Sequence, residues 1–486
     1  MTATLVAPVV IPLEVPAGRW HGASRVLAVT GAGVFAAGLA TTLTVPGWAV
    51  PASLLAAAVL AVAGGLTLFE SLRAGKGFAG IGSCVLAVLL YLAVHESAVQ
   101  LLSGARRSVL DYLGFSPVSL REDTFHAVAL FVMAAGAFAV GEAWAAGRPP
   151  RPGSEPRTHV PSYRPVFLAL LVIGMTAMLL TGQRVDAQVL DLRGQVTGQG
   201  AIGVLQQTLP LALAVGILHR HWHSRRLAAL SVLGLATYVT FVQSRSLLLF
   251  VGLAVVVRVV DAVRVRRVRV RDAAGLFALV YVATLFIVAF GQWRSAVRTY
   301  GSSEFLPWLT QALPFPFQQL SSKGSLDTLD GLVLSLHVDR ALVGASVLDP
   351  LKGIVNLVPT QLWADKPEFL GPQVTHYYTD FGGRSGIFLS GPGYLYIVYA
   401  GLLGMALASV ALGVGTALLL RRSRRSPVLT VVVVYGLCRF LIGGDAFDLQ
   451  YCLTLLLSLG VGVGAVRGIG WMRQPPIEHH GRPLCA

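Results

Sequence analysis

Charged residues are scarce in this sequence, and their scarcity excludes a water-soluble protein. Only 13% of the 486 residues are charged, whereas 55% are hydrophobic, and the mean hydropathy is +0.69. A soluble domain of this length could not bury so much apolar surface. The first 25 residues contain three prolines and lack a basic-then-apolar pattern, so they do not predict a cleaved signal peptide.

Cysteines and nucleotide-binding motifs are also scarce. Cys84, Cys438 and Cys452 fall in apolar runs, Cys485 lies near the C-terminus, and no pair has metal-ligand spacing. The sequence contains no Walker motif, no glycine-rich dinucleotide loop and no zinc motif. We therefore expect no cofactor, no metal and no structural disulfide.

Long apolar runs recur along the chain. Runs of about 18–25 residues can cross the hydrocarbon core as helices, the form in which a segment satisfies its own backbone groups in lipid. The fold class that this predicts is an all-α polytopic membrane protein with about 12 transmembrane helices. The predicted spans are 26–46, 50–70, 78–102, 125–146, 165–181, 201–218, 226–243, 246–262, 273–292, 389–420, 427–443 and 449–467.

The basic residues predict the orientation of these spans. One set of five short connections carries eighteen Lys and Arg residues, whereas the opposite short connections carry six. The positive-inside rule places the richer set in the cytoplasm. The chain then divides into a cytoplasmic tail (1–25), nine helices (26–292), an extracytoplasmic loop (293–388), three helices (389–467) and a second cytoplasmic tail (468–486). The same bias explains the net charge of +15 without nucleic-acid binding.

The loop 293–388 is the main candidate for function, because a protein that only crossed the bilayer would not need it. Glu304–Leu320 and Leu326–Val338 have mixed helical spacing and predict short amphipathic helices on the membrane face or over the core. Leu357–Phe381 is rich in Pro, Trp and Tyr and predicts an ordered loop.

Basic residues on the predicted outer side form the first group of candidate site residues. Guanidinium groups bind phosphate oxygens in a bidentate manner, so such a cluster suits a phosphate or pyrophosphate ligand. The alternative is that each pairs with an outer carboxylate or reaches lipid headgroups. Arg245 and Arg439 are the strongest candidates, because a charge at membrane depth is functional by default. The others are Arg184, Arg193, Arg294, Arg298, Arg340, Lys366 and Arg384.

Aromatic and titratable residues of the loop form the second group. Trp363, in a proline-flanked stretch, and Tyr377 have faces suited to stacking on sugar rings, although Trp363 would equally anchor the loop at the interface. His376 would act as a general base near neutral pH, with Asp380 close in sequence, or would be an ordinary surface histidine. These residues directly precede the glycine-rich start of a span that contains Tyr394.

Two stretches carry a resemblance to a known family. Pro359–Pro367 reads Pro-x-x-Leu-Trp-x-x-Lys-Pro, and Gly391–Gly404 reads Gly-x-Gly-Tyr-Leu-Tyr followed by Gly-x-x-Gly. With a Ser-Arg step between two spans (Ser244–Arg245) and a late outer loop, residues 165–465 resemble the oligosaccharide repeat-unit polymerases, or O-antigen polymerases. That family is related to the O-antigen ligases and class C membrane glycosyltransferases.

The resemblance implies a glycan polymerase of the bacterial cytoplasmic membrane. Such an enzyme joins glycans carried on polyprenyl pyrophosphate, outside the membrane, without a nucleotide sugar or a required metal. Arg245, Arg439, His376 and Asp380 are then expected to be catalytic. The other basic residues, together with Trp363, Tyr377 and Tyr394, are expected to bind substrate. The expected partners are lipid-linked donor and acceptor glycans, membrane lipids and a chain-length regulator.

Three functions remain open at the level of sequence. An O-antigen-ligase-type or polyprenyl-phosphate-sugar transferase would share the outer arginines. A polyprenyl-phosphate-sugar transferase usually has a pair of acidic residues in its first outer loop. The corresponding loop here, between the spans 26–46 and 50–70, has no carboxylate. A lipid-glycan flippase or transporter would share the twelve spans, but major-facilitator transporters carry their long loop in the cytoplasm.

Overall fold

The structure is a computed structural model, and the described residues are all helical or irregular, with no strand among them. It describes residues 21–73, 77–105, 110, 117–148, 164–181, 205, 208–218, 250–258, 281, 284–285, 288–293, 296, 304–314, 328–358, 362–363, 365–378, 389–422 and 427–472.

The described helices range from 4 to 30 residues in length. The first half contains α1 (His21–Leu43), a 3-10 turn (Pro46–Trp48), α2 (Ala49–Arg73), α3 (Ile81–Leu89), a π-helical turn (Leu90–His95), α4 (Glu96–Leu102), α5 (Pro117–Ala146), α6 (Arg164–Thr181) and α7 (Thr208–Leu218). The second half contains α8 (Phe305–Ala312), α9 (Thr328–His337), a 3-10 turn (Asp349–Leu351), α10 (Lys352–Val355), α11 (Leu370–Tyr378), α12 (Gly391–Val398), α13 (Leu402–Arg422), α14 (Pro427–Gly443) and α15 (Ala446–Met472).

Six helical segments of the described chain are long and apolar enough to cross a membrane. They are Gly22–Leu43, Pro46–Arg73, Ile81–Leu102, Ser119–Ala146, Leu402–Arg421 and Asp448–Val466. Three shorter apolar helices, Arg164–Ala177, Thr208–Leu218 and Pro427–Gly443, coincide with further predicted spans. An all-helical membrane protein is therefore confirmed. The predicted span 226–243 lies wholly outside the described residues, and 273–292 lies largely outside them. Residues 250–258 of the predicted span 246–262 are described and are helical.

Helix α5 is the centre of the first half, with α1, α2, α3 and α13 packed around it. Glycines set the distance between these helices. A Cβ atom at Gly136 would lie 2.4 Å from the backbone of Phe35 in α1, and one at Gly141 would lie 2.1 Å from the carbonyl oxygen of Val410 in α13. Small residues at such crossings allow close van der Waals packing in lipid, where the hydrophobic effect does not drive association.

A buried carboxylate fixes the start of α3 against α5. Glu142 is 0% exposed. One of its oxygens accepts hydrogen bonds from the backbone N–H groups of Gly80 (2.9 Å) and Gly82 (3.2 Å). The other accepts from the N–H (2.8 Å) and the hydroxyl (2.6 Å) of Ser83. These N–H groups belong to a helix N-terminus, which lacks internal acceptors and favours negative charge.

Two predictions for the second half are wrong in detail. The single span 389–420 is two helices, α12 and α13, separated at Ala400 and Gly401, which have φ values of 59° and 103°. Apolar length cannot reveal such a break, because both sides of it are equally apolar. The segment predicted as ordered loop, 357–381, contains α11, whose Leu370 and Val374 are both 0% exposed. Their spacing of four residues is helical, but it lies within a Pro- and Tyr-rich stretch.

The predicted short helices of the loop 293–388 are present as α8 and α9. The side chains of α9 from Thr328 to Ser335 are all buried, and the helix packs against α5 and α12. At its end, Nε2 of His337 lies 2.9 Å from a carboxylate oxygen of Asp123 in α5. Helix α9 therefore covers the core, whereas Leu306 in α8 is 67% exposed.

Candidate functional site

Several buried polar side chains meet where α14 ends and α15 begins. We define the junction as Ser390–Tyr394, Arg439–Asp448, Asp349–Gly353 and Gly371. These residues contain the start of α12, the turn between α14 and α15, the 3-10 turn with the start of α10, and the first turn of α11. Helices α12, α14 and α15 are apolar along most of their lengths, so the junction concentrates charge at their polar ends.

The backbone of the junction is strained. Ser390 precedes α12 with φ 62° and ψ 155°, a region rarely adopted by residues other than glycine, and its hydroxyl accepts a hydrogen bond from the N–H of Gly393 (3.3 Å). Gly444 faces it with φ 63°, and a Cβ atom there would lie 1.9 Å from the carbonyl oxygen of Ser390. Strain of this kind persists only where surrounding packing imposes it, and it is common at functional sites.

Arg439 is the central cation of the junction. A terminal nitrogen of its guanidinium lies 2.9 Å from a carboxylate oxygen of Asp448, and its side chain is 18% exposed. The guanidinium also lies over the ring of Tyr451, 4.9 Å from the ring centroid. Its Nε atom is buried and has no hydrogen-bond partner among the described residues. Asp448 and Tyr451 thus hold the guanidinium in place, and no residue in the described part of the chain accepts from its Nε–H.

Gly443 makes this ion pair possible. A Cβ atom at Gly443 would lie 2.3 Å from a carboxylate oxygen of Asp448, so a larger residue would displace the carboxylate. Asp448 is itself in the first turn of α15, where a negative charge is favoured by the helix dipole.

Asp445 connects α11 to the start of α15. One of its carboxylate oxygens accepts a hydrogen bond from the N–H of Gly371 (2.8 Å), and the other is buried without a partner in the described chain. The residue lies in the turn between the two apolar helices. Burial, reinforced by the nearby Asp448, raises the pKa of Asp445 to about 7, although the Gly371 N–H and Lys352 act in the opposite direction.

Asp349 and Lys352 complete the junction. Asp349 is buried, and one of its carboxylate oxygens lies 2.8 Å from Nζ of Lys352. Helix α10 packs on α15 through Gly353, where a Cβ atom would lie 2.5 Å from the carbonyl oxygen of Ala446. The described residues contain no group of three or more His, Cys, Asp or Glu side chains that could hold a metal ion.

Of the predicted site residues, Arg439 and Tyr394 lie in the junction. Tyr394 is 1% exposed, packs edge-to-face against Phe440 at 5.9 Å, and has a buried hydroxyl that no described residue hydrogen-bonds.

The other described candidates lie outside the junction. His376 and Tyr377 are exposed on α11, with ring centroids 5.3 Å apart. Trp363 is 44% exposed, and Lys366 donates a hydrogen bond to the carbonyl oxygen of Asn356 (3.3 Å). Arg340 follows α9, and its Nε is buried without a partner among the described residues. Arg184, Arg193, Arg245, Arg294, Arg298, Asp380 and Arg384 lie outside the described residues.

The sequence analysis did not select Asp349, Asp445 or Asp448 as site residues. A local signal was present for two of them, because Asp445 and Asp448 follow Gly443 and Gly444 and open the last long apolar helix. That Asp448 pairs with Arg439 depends on the turn that brings α15 back against α14.

Comparisons of the chain with protein-family models, with curated proteins and with solved structures find no match. A fixed, partly satisfied guanidinium beside a buried carboxyl, at the polar end of apolar helices, is suited to binding an anion at the membrane surface.

Proposed function

We propose that this protein is a metal-independent glycosyltransferase that joins polyprenyl-pyrophosphate-linked oligosaccharide units on the outer face of a bacterial cytoplasmic membrane. The single observation that carries the proposal is Arg439, a cation inside an apolar helix whose buried Nε–H has no hydrogen-bond partner among the described residues. Placing a cation at this depth costs free energy, so a cation there usually serves to bind a ligand. A lipid pyrophosphate places its charges at the same depth, just above its hydrocarbon tail.

The chemistry requires few protein groups. Pyrophosphate is already a good leaving group, so the enzyme mainly has to stabilise negative charge that develops on the leaving oxygen. A guanidinium held by Asp448 and Tyr451 needs little reorganisation for this task. Arg439 is thus the proposed ligand of the donor. Arg245 and the remaining predicted arginines stay proposals for the same role.

The acceptor side is assigned to α11. This helix carries His376 and Tyr377, and its first turn is hydrogen-bonded to the junction through Gly371 and Asp445. Five residues of helix separate Gly371 from His376, or roughly 7–8 Å along the axis. We propose that an acceptor sugar stacked on Tyr377 and Trp363 reaches a donor at Arg439 from this side of the junction. His376, with Asp380, would orient or deprotonate the attacking hydroxyl.

Arg439 variants test the donor assignment. Purified protein in liposomes would be given the lipid-linked repeat unit, and polymer ladders would be compared at equal protein amounts. Arg439→Ala should reduce turnover by about 100- to 1,000-fold, the range for removing one oxyanion donor. Arg439→Lys should also impair turnover, because lysine keeps the charge but loses the planar fork. Arg25→Ala, at an exposed position of α1, is the matched control and should leave the ladder unchanged.

A wild-type ladder from Arg439→Ala would remove this residue from the mechanism. If the wild-type protein moved the lipid-linked unit across the bilayer without forming polymer, a flippase would be the correct function. For the acceptor side, His376→Ala should reduce chain extension by about 100- to 10,000-fold. Trp363→Ala should mainly raise the acceptor concentration that is needed, because stacking contributes binding.

A further inference from the structure

The stretch between α9 and α11 has a composition unlike that of a loop in water. Residues 341–358, which we call the 341–358 segment, contain only two charged side chains, Asp349 and Lys352. These two lie 2.8 Å apart, with side chains only 1% and 15% exposed. The surface of the segment therefore carries almost no charge.

The exposed side chains of this segment are large and apolar. Val347 is 54% exposed, Leu348 63%, Leu351 49% and Ile354 50%. Leu348, Leu351 and Ile354 recur every three residues, which places them along one side of the 3-10 turn, α10 and the turn before them, and Val347 adjoins Leu348. On the other side, Asp349 and Gly353 are buried against α15. The segment therefore has two distinct faces. One is packed on the protein, and the other, which is apolar, is exposed.

Many backbone N–H groups of the segment donate to acceptors within the segment or in the two residues before it. The N–H groups of Val343, Gly344 and Ala345 donate to carbonyl oxygens of residues 339–341, and those of Asn356, Leu357 and Val358 donate to carbonyl oxygens of residues 352–355. Between them, the N–H of Asp349 donates to the carbonyl of Ser346, and the N–H of Ser346 to the carboxylate of Asp349. Internal pairing of this kind is what hydrocarbon demands of a backbone, because lipid offers no partners.

The segment packs beside exposed apolar side chains at the start of a candidate span. Gly353 packs against the side chain of Leu449, where a Cβ atom would lie 3.1 Å from its Cβ. Leu449 is 38% exposed, as is Leu456 further along the candidate span Asp448–Val466. Gln450 also donates a hydrogen bond to the carbonyl oxygen of Asn356 (3.1 Å), which ties the segment to the same end of α15.

We propose that the 341–358 segment is seated in the membrane, with Val347, Leu348, Leu351 and Ile354 in contact with acyl chains of the leaflet at the N-terminal end of α15. The segment would then act as a monotopic anchor beside the junction. The ion pair between Asp349 and Lys352 leaves the segment without net charge, which lowers the cost of this placement. This inference does not depend on the proposed enzymatic activity or on which side of the membrane the segment lies.

Site-specific photolabelling tests the proposal on the full-length protein. A diazirine amino acid would replace Leu348 or Leu351, and the protein would be reconstituted in vesicles of phosphatidylethanolamine and phosphatidylglycerol. The carbene formed on illumination inserts into its nearest neighbour, so the adduct identifies lipid, water or protein by mass. Leu457, 51% exposed in the span, is the lipid-facing control, and Glu368, exposed beyond the segment, is the water-facing control.

We expect phospholipid adducts at positions 348 and 351 at a yield comparable with position 457 and severalfold above position 368. Water adducts at both positions would overturn the proposal. Adducts to a second copy of the chain would also overturn it, and would assign the face to self-association instead. Because 348 and 351 are exposed and are tested separately, one well-folded variant is sufficient to decide.

Discussion

Glu142 offers the clearest measure of how this fold holds a buried charge. Its two carboxylate oxygens accept four hydrogen bonds, three of them from backbone N–H groups around the start of α3. Glu142→Ala leaves those three N–H groups buried without an acceptor, whereas the Ser83 hydroxyl can rotate to another. An orphaned buried donor costs about 1–3 kcal/mol.

The three N–H groups together set an upper limit of about 9 kcal/mol, and water entering the vacated space lowers it. We expect Glu142→Ala to destabilise the protein by about 3–5 kcal/mol, below that limit because entering water satisfies part of the three donors. Glu142→Gln should cost less, because its single acceptor oxygen can still serve one of the two donor pairs. The NH₂ group of the introduced glutamine would face the other donor pair, and since both are donors no hydrogen bond would form there.

Unfolding in mixed micelles, followed by tryptophan fluorescence at increasing denaturing detergent, would measure these differences. Glu122→Ala is the control, since Glu122 is an exposed glutamate of the same helix and should change stability by less than about 0.5 kcal/mol. If Glu142→Ala unfolds within error of Glu122→Ala, the carboxylate does not hold α3, and the reasoning from its hydrogen bonds fails.

Three further predictions concern the junction and the topology. Burial raises the pKa of Asp445 from 3.8 to about 7. The contribution of Asp445 to the stability of the fold is therefore complete below about pH 4 and is lost as pH rises through about 7. The melting temperature should fall across this range, and Asp445→Asn should remove this pH dependence. Gly444→Ala should lower the free energy of unfolding by roughly 2–5 kcal/mol, because Gly444 has a positive φ and a Cβ atom there would clash with the backbone. Gly415→Ala is the control and should not destabilise the protein, because the space around Gly415 is open. Equal melting temperatures for the two variants would refute the clash. A cysteine introduced at Ser325 should react with an impermeant thiol reagent added outside intact cells, and one at Ser423 should not; the reverse result would invert the proposed topology.

Side-chain chemistry along the chain was enough to predict a helical membrane protein. The positions of α1, α2, α5 and α14 follow from apolar length, because each must satisfy its own backbone in lipid whatever its neighbours are. The same reasoning failed at Ala400–Gly401, where two apolar helices meet, since hydropathy does not report backbone direction.

For the candidate site, the sequence singled out Arg439 and Tyr394 but not their surroundings. Arg439 stood out because a cation at membrane depth costs free energy. That cost depends on a single residue and its position in an apolar run, so the sequence alone reveals it. Its partner Asp448 lies on the following helix, and Asp445 and Gly371 are 74 residues apart. Contacts between separate helices depend on how the chain turns and packs, so the tertiary structure alone decided which carboxylates the junction contains. Composition therefore determined that this chain enters the membrane, and packing determined where its buried charges meet.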